Sequence, residues 1–213
     1  MLTQPSLLIP GPSGKLEVIV AHPENEAEST PLFIMCHPNP LLQGSMHNKV
    51  VTTTCKAFLQ LGCITVRFNF RGVGLSEGVY GHYQGECQDL QCVTRWAQDL
   101  YPQRPLWLSG FSFGSFIAYK MANTLNAHRL LSIAPALKYG ENIERYADLP
   151  EPQMPWTILI PEADEVVSSQ DTYAWLSTVK SPYQVIGFPN VSHFFHGALG
   201  QLREVLMEVG ATL

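Results

Sequence analysis

Short apolar runs of strand length recur along this chain, near residues 6–9, 15–20, 32–36, 63–68, 106–109, 130–133, 156–160 and 183–188, and segments of helical spacing fill the longer gaps. That alternation is what a mostly parallel sheet flanked by helices requires, because parallel neighbours need a crossover long enough to hold a helix. The first two runs are separated by little more than Gly11-Pro12-Ser13-Gly14 and predict an antiparallel hairpin. The remaining runs are spaced for right-handed crossovers. Helices are predicted over 45–61, stopping at Gly62, and over 84–100, 113–126, 168–179 and 199–209. The segment from Phe113 to Leu125 is apolar nearly all round, the mark of a helix buried on most of its surface. The connection from Ala134 to Pro155 is too short to house a separate lid domain. The expected architecture is an α/β fold with an eight-stranded sheet, one domain over residues 1–213, and a fairly open site at the strand C-termini.

Composition narrows the partners. Of 213 residues, 46% are hydrophobic and 15% charged, enough for one large core. A net charge of −5 with no run of Lys or Arg gives no footprint for nucleic acid or an anionic membrane surface. A small, neutral or mixed substrate fits better. The stretch Met1 to Gly14 lacks a basic region, and Leu7-Leu8-Ile9 is too short for a signal peptide or a span, so a soluble, cytoplasmic protein is expected. Five cysteines, Cys36, Cys55, Cys63, Cys87 and Cys92, form no C-x-x-C pair and read as reduced, buried packing residues.

Two stretches match G-x-S-x-G: Gly110-Phe111-Ser112-Phe113-Gly114 and Gly74-Leu75-Ser76-Glu77-Gly78. With Gly and Ser each near about 7% of residues, chance yields such a match in roughly one chain of this length in fourteen, so context decides. A nucleophilic serine of the α/β-hydrolase fold sits on a sharp turn between a strand and a helix, its hydroxyl exposed by strained backbone. Ser112 has that context, since Leu106-Trp107-Leu108-Ser109 precedes it and the apolar helix follows. Ser76 lies beyond the strand ending near Phe68 and leads into Val79-Tyr80-Gly81-His82, which reads as turn.

A serine hydroxyl needs a base, and in this fold the acid and then the histidine follow the serine in the chain. Of His128, His193 and His196, the first precedes a strand, at the wrong end of the sheet. His193 lies in the loop after the last strand, Pro189-Asn190-Val191-Ser192-His193, and is the expected base; His196, three residues on, is its competitor. Neither a carboxylate nor a third ligand stands near that pair to make a metal site. The acid should come from Pro161-Glu162-Ala163-Asp164-Glu165-Val166-Val167. Asp164 is the choice, mid-loop before two β-branched residues, whereas Glu162 and Glu165 read as solvated. Its role would be to hold the imidazole tautomer and stabilise the imidazolium. The oxyanion donors would be the N–H of Phe113 and one from the loop after the third strand, Cys36-His37-Pro38-Asn39-Pro40. Proline has no N–H, which leaves His37 and Asn39, and Asn39 is the candidate.

The set His37-Pro38-Asn39-Pro40, Gly44 with Asn48-Lys49-Val50, Asn69 to Ser76, Gly110 to Gly114, Ala163 to Val167 and Ser192 to Gly197 resembles the small, lidless bacterial α/β hydrolases related to dienelactone hydrolases and carboxylesterases. The resemblance implies the same triad and donors, and esterase-like activity without a cofactor. It assigns Gly74 to Gly78 to a glycine-rich turn in which Arg71 is structural. Departures touch the site rim: Asn39 where relatives often carry a second His, His47 where an acid is expected, Pro161 in place of a glycine, and a serine where dienelactone hydrolases proper use cysteine. The expected reaction is hydrolysis of a small ester or thioester through an acyl-enzyme at Ser112. The same triad would also serve a peptidase or amidase, and a non-catalytic binding domain on the same fold is the alternative from another class.

Overall fold

The structure is a computed structural model that describes residues 5–27, 29–137 and 146–211. Its strands are β1 (Leu7–Gly11), β2 (Gly14–Ala21), β3 (Leu32–Cys36), β4 (Ile64–Phe68), β5 (Leu106–Phe111), β6 (Arg129–Ile133), β7 (Trp156–Pro161) and β8 (Tyr183–Phe188). Among the described residues they form one sheet in the order β1-β2-β4-β3-β5-β6-β7-β8. β1 and β2 make the predicted hairpin, with Gly11 opposite Gly14, and β2 runs antiparallel to β4. All pairings from β4 through β3 to β8 are parallel. Consequently the segments that follow β3, β5, β7 and β8 all emerge at one edge of the sheet.

Successive side chains of a strand point to opposite faces, and both faces here are covered. In β3, Leu32, Ile34 and Cys36 enter one apolar cluster and Phe33 and Met35 the other. The first cluster is completed by α2 (Gln84–Leu100) and α3 (Phe113–Ala122), through residues such as Leu90, Val93, Phe116 and Ile117. The second is completed by α1 (Lys49–Gln60) and α5 (Leu199–Ala211), through Val51, Phe58, Leu202 and Leu206. Each such fully buried side chain contributes about 1.5–3 kcal/mol relative to exposure. α3, at the sheet centre, buries eight of its ten residues.

Helix ends are where the structure departs from spacing. α1 begins at Lys49 rather than Ser45, because the Asn48 side chain accepts the N–H of Val50 and caps the helix there. Residues 45–48 form a turn instead, closed by Asn48 N–H to the Ser45 carbonyl. α3 ends at Ala122 rather than 126, since Asn126 takes the left-handed conformation (φ 52°) and Ala127 N–H bonds back to Ala122. α4 (Ser169–Leu176) starts on the Ser168 cap and is shorter than predicted; the Ser177 and Thr178 hydroxyls bond back to the carbonyls of Ala174 and Trp175. Two short 3-10 turns, Pro40–Leu42 and Tyr146–Asp148, have no periodicity to announce them.

The loop after β4 is tied to α2 by Arg71. Its Nε and one terminal nitrogen donate to the carboxylate of fully buried Asp89, which also accepts the Arg71 backbone N–H. Asp89 raises the already high pKa of the guanidinium. Four cysteines are buried and Cys92 is half-buried, its thiol directed at the Pro10 carbonyl.

Candidate active site

Ser112 stands between the last residue of β5, Phe111, and the first of α3, Phe113, with φ 53° and ψ −114°. A non-glycine residue in such a conformation costs about 1–3 kcal/mol and persists only where its surroundings impose it. Here its N–H bonds to the Ile133 carbonyl, and its carbonyl accepts the N–H of Ser115. The flanking glycines let the elements close: a Cβ on Gly110 would overlap the Gly114 carbonyl, and one on Gly114 would overlap the carbonyls of Cys36 and His37. The turn thus brings the N-terminus of α3 against the end of β3 and the loop that leaves it.

The loops after β7 and β8 are zipped together by Glu162 N–H to the Phe188 carbonyl and Ala163 N–H to the Val191 carbonyl. That registers Asp164 against His193. Asp164 Oδ1 accepts the N–H groups of Val166 (2.8 Å) and Val167 (2.7 Å), while Oδ2 lies 2.7 Å from His193 Nδ1. Both side chains are 2% exposed. A carboxylate only accepts, so Nδ1 carries the proton and Nε2 of the neutral ring is left as acceptor. The His193 ring lies 5.0 Å from that of Phe111, the residue before Ser112. Glu165, expected to be merely solvated, accepts the backbone N–H of His193 at 3.1 Å. Nothing in its sequence position distinguishes it from a surface carboxylate, because the partner is a main-chain group 28 residues away.

Beyond β3, His37 is fully buried. Its Nδ1 is 2.6 Å from the Pro38 carbonyl, and Nε2 accepts the N–H of Phe70 at 3.0 Å. Burial pushes its pKa down to about 4, against the opposing pull of the Pro38 hydrogen bond. Asn39 caps the 3-10 turn Pro40–Leu42: its side chain accepts Leu41 N–H, and its carbonyl accepts the N–H groups of Leu42 and Gly44. The Asn39 backbone N–H makes no hydrogen bond among the described residues.

Ser76 makes its hydrogen bonds to β2 and the loop after β4, not to Asp164 or His193, and is more than a turn residue. Its buried hydroxyl accepts Glu17 N–H (2.9 Å) and donates to the Asn69 carbonyl (2.7 Å). The Glu17 carboxylate in turn takes Asn69 Nδ2 and Leu75 N–H. The second G-x-S-x-G match is therefore a strut between β2 and the loop after β4. His196 is exposed and tilted against Phe194, His47 is exposed, and the exposed His128 accepts Leu106 N–H at the opposite edge of the sheet.

A mostly parallel sheet of this strand order, with a strained serine leading into the helix at its centre, is the α/β-hydrolase architecture. Within that class, residues 44–150 match the family described as serine aminopeptidase, S33, and the chain belongs to it. A structure of an α/β serine hydrolase homologue from Coxiella burnetii shares 43% identity, covers 98% of each chain and has a TM-score of 0.91. An α/β serine hydrolase without lid from Xanthomonas campestris shares 38% identity over 100% of this chain and 95% of its own, with a TM-score of 0.90. An uncharacterized protein of Rickettsia prowazekii (strain Madrid E) is 30% identical over 200 residues, 90% of this chain and 82% of that one. The chain is a small α/β serine hydrolase of the lidless kind. The family match contains Ser112 and ends before Asp164 and His193.

Proposed function

We propose that the chain is a single-domain serine esterase, residues 1–213, acting in the cytoplasm on a small ester or thioester. Ser112 is the nucleophile, His193 the general base, and Asp164 the residue that orients it. The observation that carries this reading is the 2.7 Å bond between the nearly fully buried Asp164 and His193, which holds the ring proton at Nδ1 and so, in the neutral ring, turns Nε2 into the proton acceptor. In the reaction Nε2 takes the Ser112 Oγ proton as Oγ attacks the carbonyl carbon. The tetrahedral oxyanion receives the N–H groups of Phe113 and Asn39. Collapse breaks the bond to the alcohol or thiol, which leaves with the proton from Nε2, and water then releases the acid by the same steps.

A fluorophosphonate probe should label Ser112 and no other serine, and p-nitrophenyl esters should be hydrolysed by the parent protein and not by Ser112→Ala. Ester hydrolysis that survives in Ser112→Ala would overturn the reading. Peptidase action is the second reading, favoured by the description of the family that residues 44–150 match. Aminoacyl p-nitroanilides and acyl-CoA thioesters run beside the esters decide it: a higher kcat/KM on the anilides selects the peptidase.

A further inference from the structure

The bonds around His37 are directional. Its Nδ1 faces a carbonyl oxygen, which can only accept, and its Nε2 faces the Phe70 N–H, which can only donate. Both contacts are met by a single species, the neutral ring protonated at Nδ1. The oxygen it grips belongs to Pro38, and the peptide unit that carries the Pro38 carbonyl also carries the Asn39 N–H. In a planar trans peptide these two groups point in opposite directions. Holding the oxygen on one side therefore aims the N–H out of the other, and rotation of that unit would carry the N–H away.

Resting on the reading of Asn39 as an oxyanion donor, we propose that His37 is a positioning residue for catalysis: by holding the Pro38 carbonyl it fixes the peptide plane whose N–H stabilises the oxyanion. Phe70, just beyond β4, anchors the ring, and its ring packs 4.7 Å from that of His37. Gly44 completes the clamp, since a Cβ there would overlap the Pro38 carbonyl. Every other hydrogen bond of Asn39 is turned inward on its own loop, through Oδ1 and the carbonyl. The free direction is the N–H. The loop is thus set before substrate arrives, which is what makes such a donor effective.

Two substitutions separate positioning from simple stabilisation. His37→Asn places an amide N–H where Nδ1 stands and keeps the grip on Pro38 while releasing Phe70. His37→Gln reaches to Nε2 and can accept from Phe70 while releasing Pro38. With p-nitrophenyl butyrate as probe, His37→Asn is expected to keep kcat within about tenfold of the parent, and His37→Gln to lose about 10² to 10³, the effect of one oxyanion donor. KM should stay within about threefold in both, because the donor acts on the transition state. A trifluoromethyl ketone, whose adduct carries the oxyanion, should weaken in step with kcat. If His37→Gln equals or exceeds His37→Asn in kcat, or if the two fall only as their unfolding midpoints fall, the proposal is overturned.

Replacing the Asn39 amide by a backbone ester removes the N–H itself and tells the two ideas apart. Loss of kcat in the ester protein, with the Asn and Gln variants then equal within about threefold, supports the coupling of His37 to that donor. A loss in the ester protein with the difference between the variants persisting would sink the role of His37 alone. An ester protein within about threefold of the parent would remove Asn39 as donor, and His37 with it.

Discussion

Asp164 divides its two oxygens between two tasks, and that division makes a sharp expectation. Oδ1 accepts two backbone N–H groups, so in Asp164→Asn the amide oxygen must take that position and the NH₂ must face His193. An NH₂ there forces Nδ1 to accept, which places the ring proton on Nε2 and leaves no base for Ser112. We expect kcat to fall by about 10³ to 10⁴ with little change in stability, the cost of the wrong tautomer in a serine hydrolase. The rate of fluorophosphonate labelling should drop in parallel, and a loss below about tenfold would show that Asp164 does not orient the base. Ser76 makes the opposite case. Ser76→Ala leaves Glu17 N–H without its acceptor in a buried setting, so urea unfolding should reveal a loss of about 1–3 kcal/mol while kcat of the folded protein is retained. Equal loss of kcat in Ser76→Ala and Ser112→Ala would contradict the distinction between the two motifs. Their identical spelling hides it, because the chemistry lies in what precedes and follows each serine.

At the scale of elements, the strands were legible and the helix ends were not. Apolar runs such as Leu32–Cys36 and Trp156–Pro161 are buried on both faces and cannot be anything but central strands once helices flank them. Helix ends depend on single caps, and Asn48 and Asn126 overrode an apolar spacing that continued past them. The contact between α3 and the end of β3 is the element-scale feature on which the site depends. Gly114→Ala should force α3 away from Cys36 and His37, reducing stability by about 1–3 kcal/mol. It should also cost activity beyond that, since a displacement of about 1 Å in a reacting geometry can cost about 10²-fold. Gly62→Ala is the control: despite φ 89° nothing lies near its missing Cβ, so roughly 1 kcal/mol of backbone strain and no loss of kcat are expected. Activity lost equally in both would locate the Gly114 effect in general destabilisation.

At the scale of the whole molecule, the buried His37 links stability to pH. Burial holds the folded ring at about 4, whereas an unfolded histidine titrates near 6.5. Between those values the unfolded chain binds the extra proton, so this contribution is complete above about 6.5 and is lost as pH falls toward about 4. The gap corresponds to roughly 3 kcal/mol. Urea unfolding from pH 7 to pH 4.5 should therefore show a steeper decline in the parent than in His37→Asn, which cannot titrate; identical slopes would mean that His37 protonates freely in the fold. The same histidine marks the boundary between sequence and tertiary structure here. Local signals determined the α/β layering, the hairpin, the strand positions and the strand-to-helix setting of Ser112, because a chain pattern of period 2 or 3.6 and a turn are written in neighbouring residues. Strand order, the grip of His37 on Phe70, the acceptor role of Glu165 and the strut through Ser76 bring main-chain groups to partners far away in sequence. Backbone N–H and C=O groups are the same at nearly every position, so only the folded sheet could decide which of them meet.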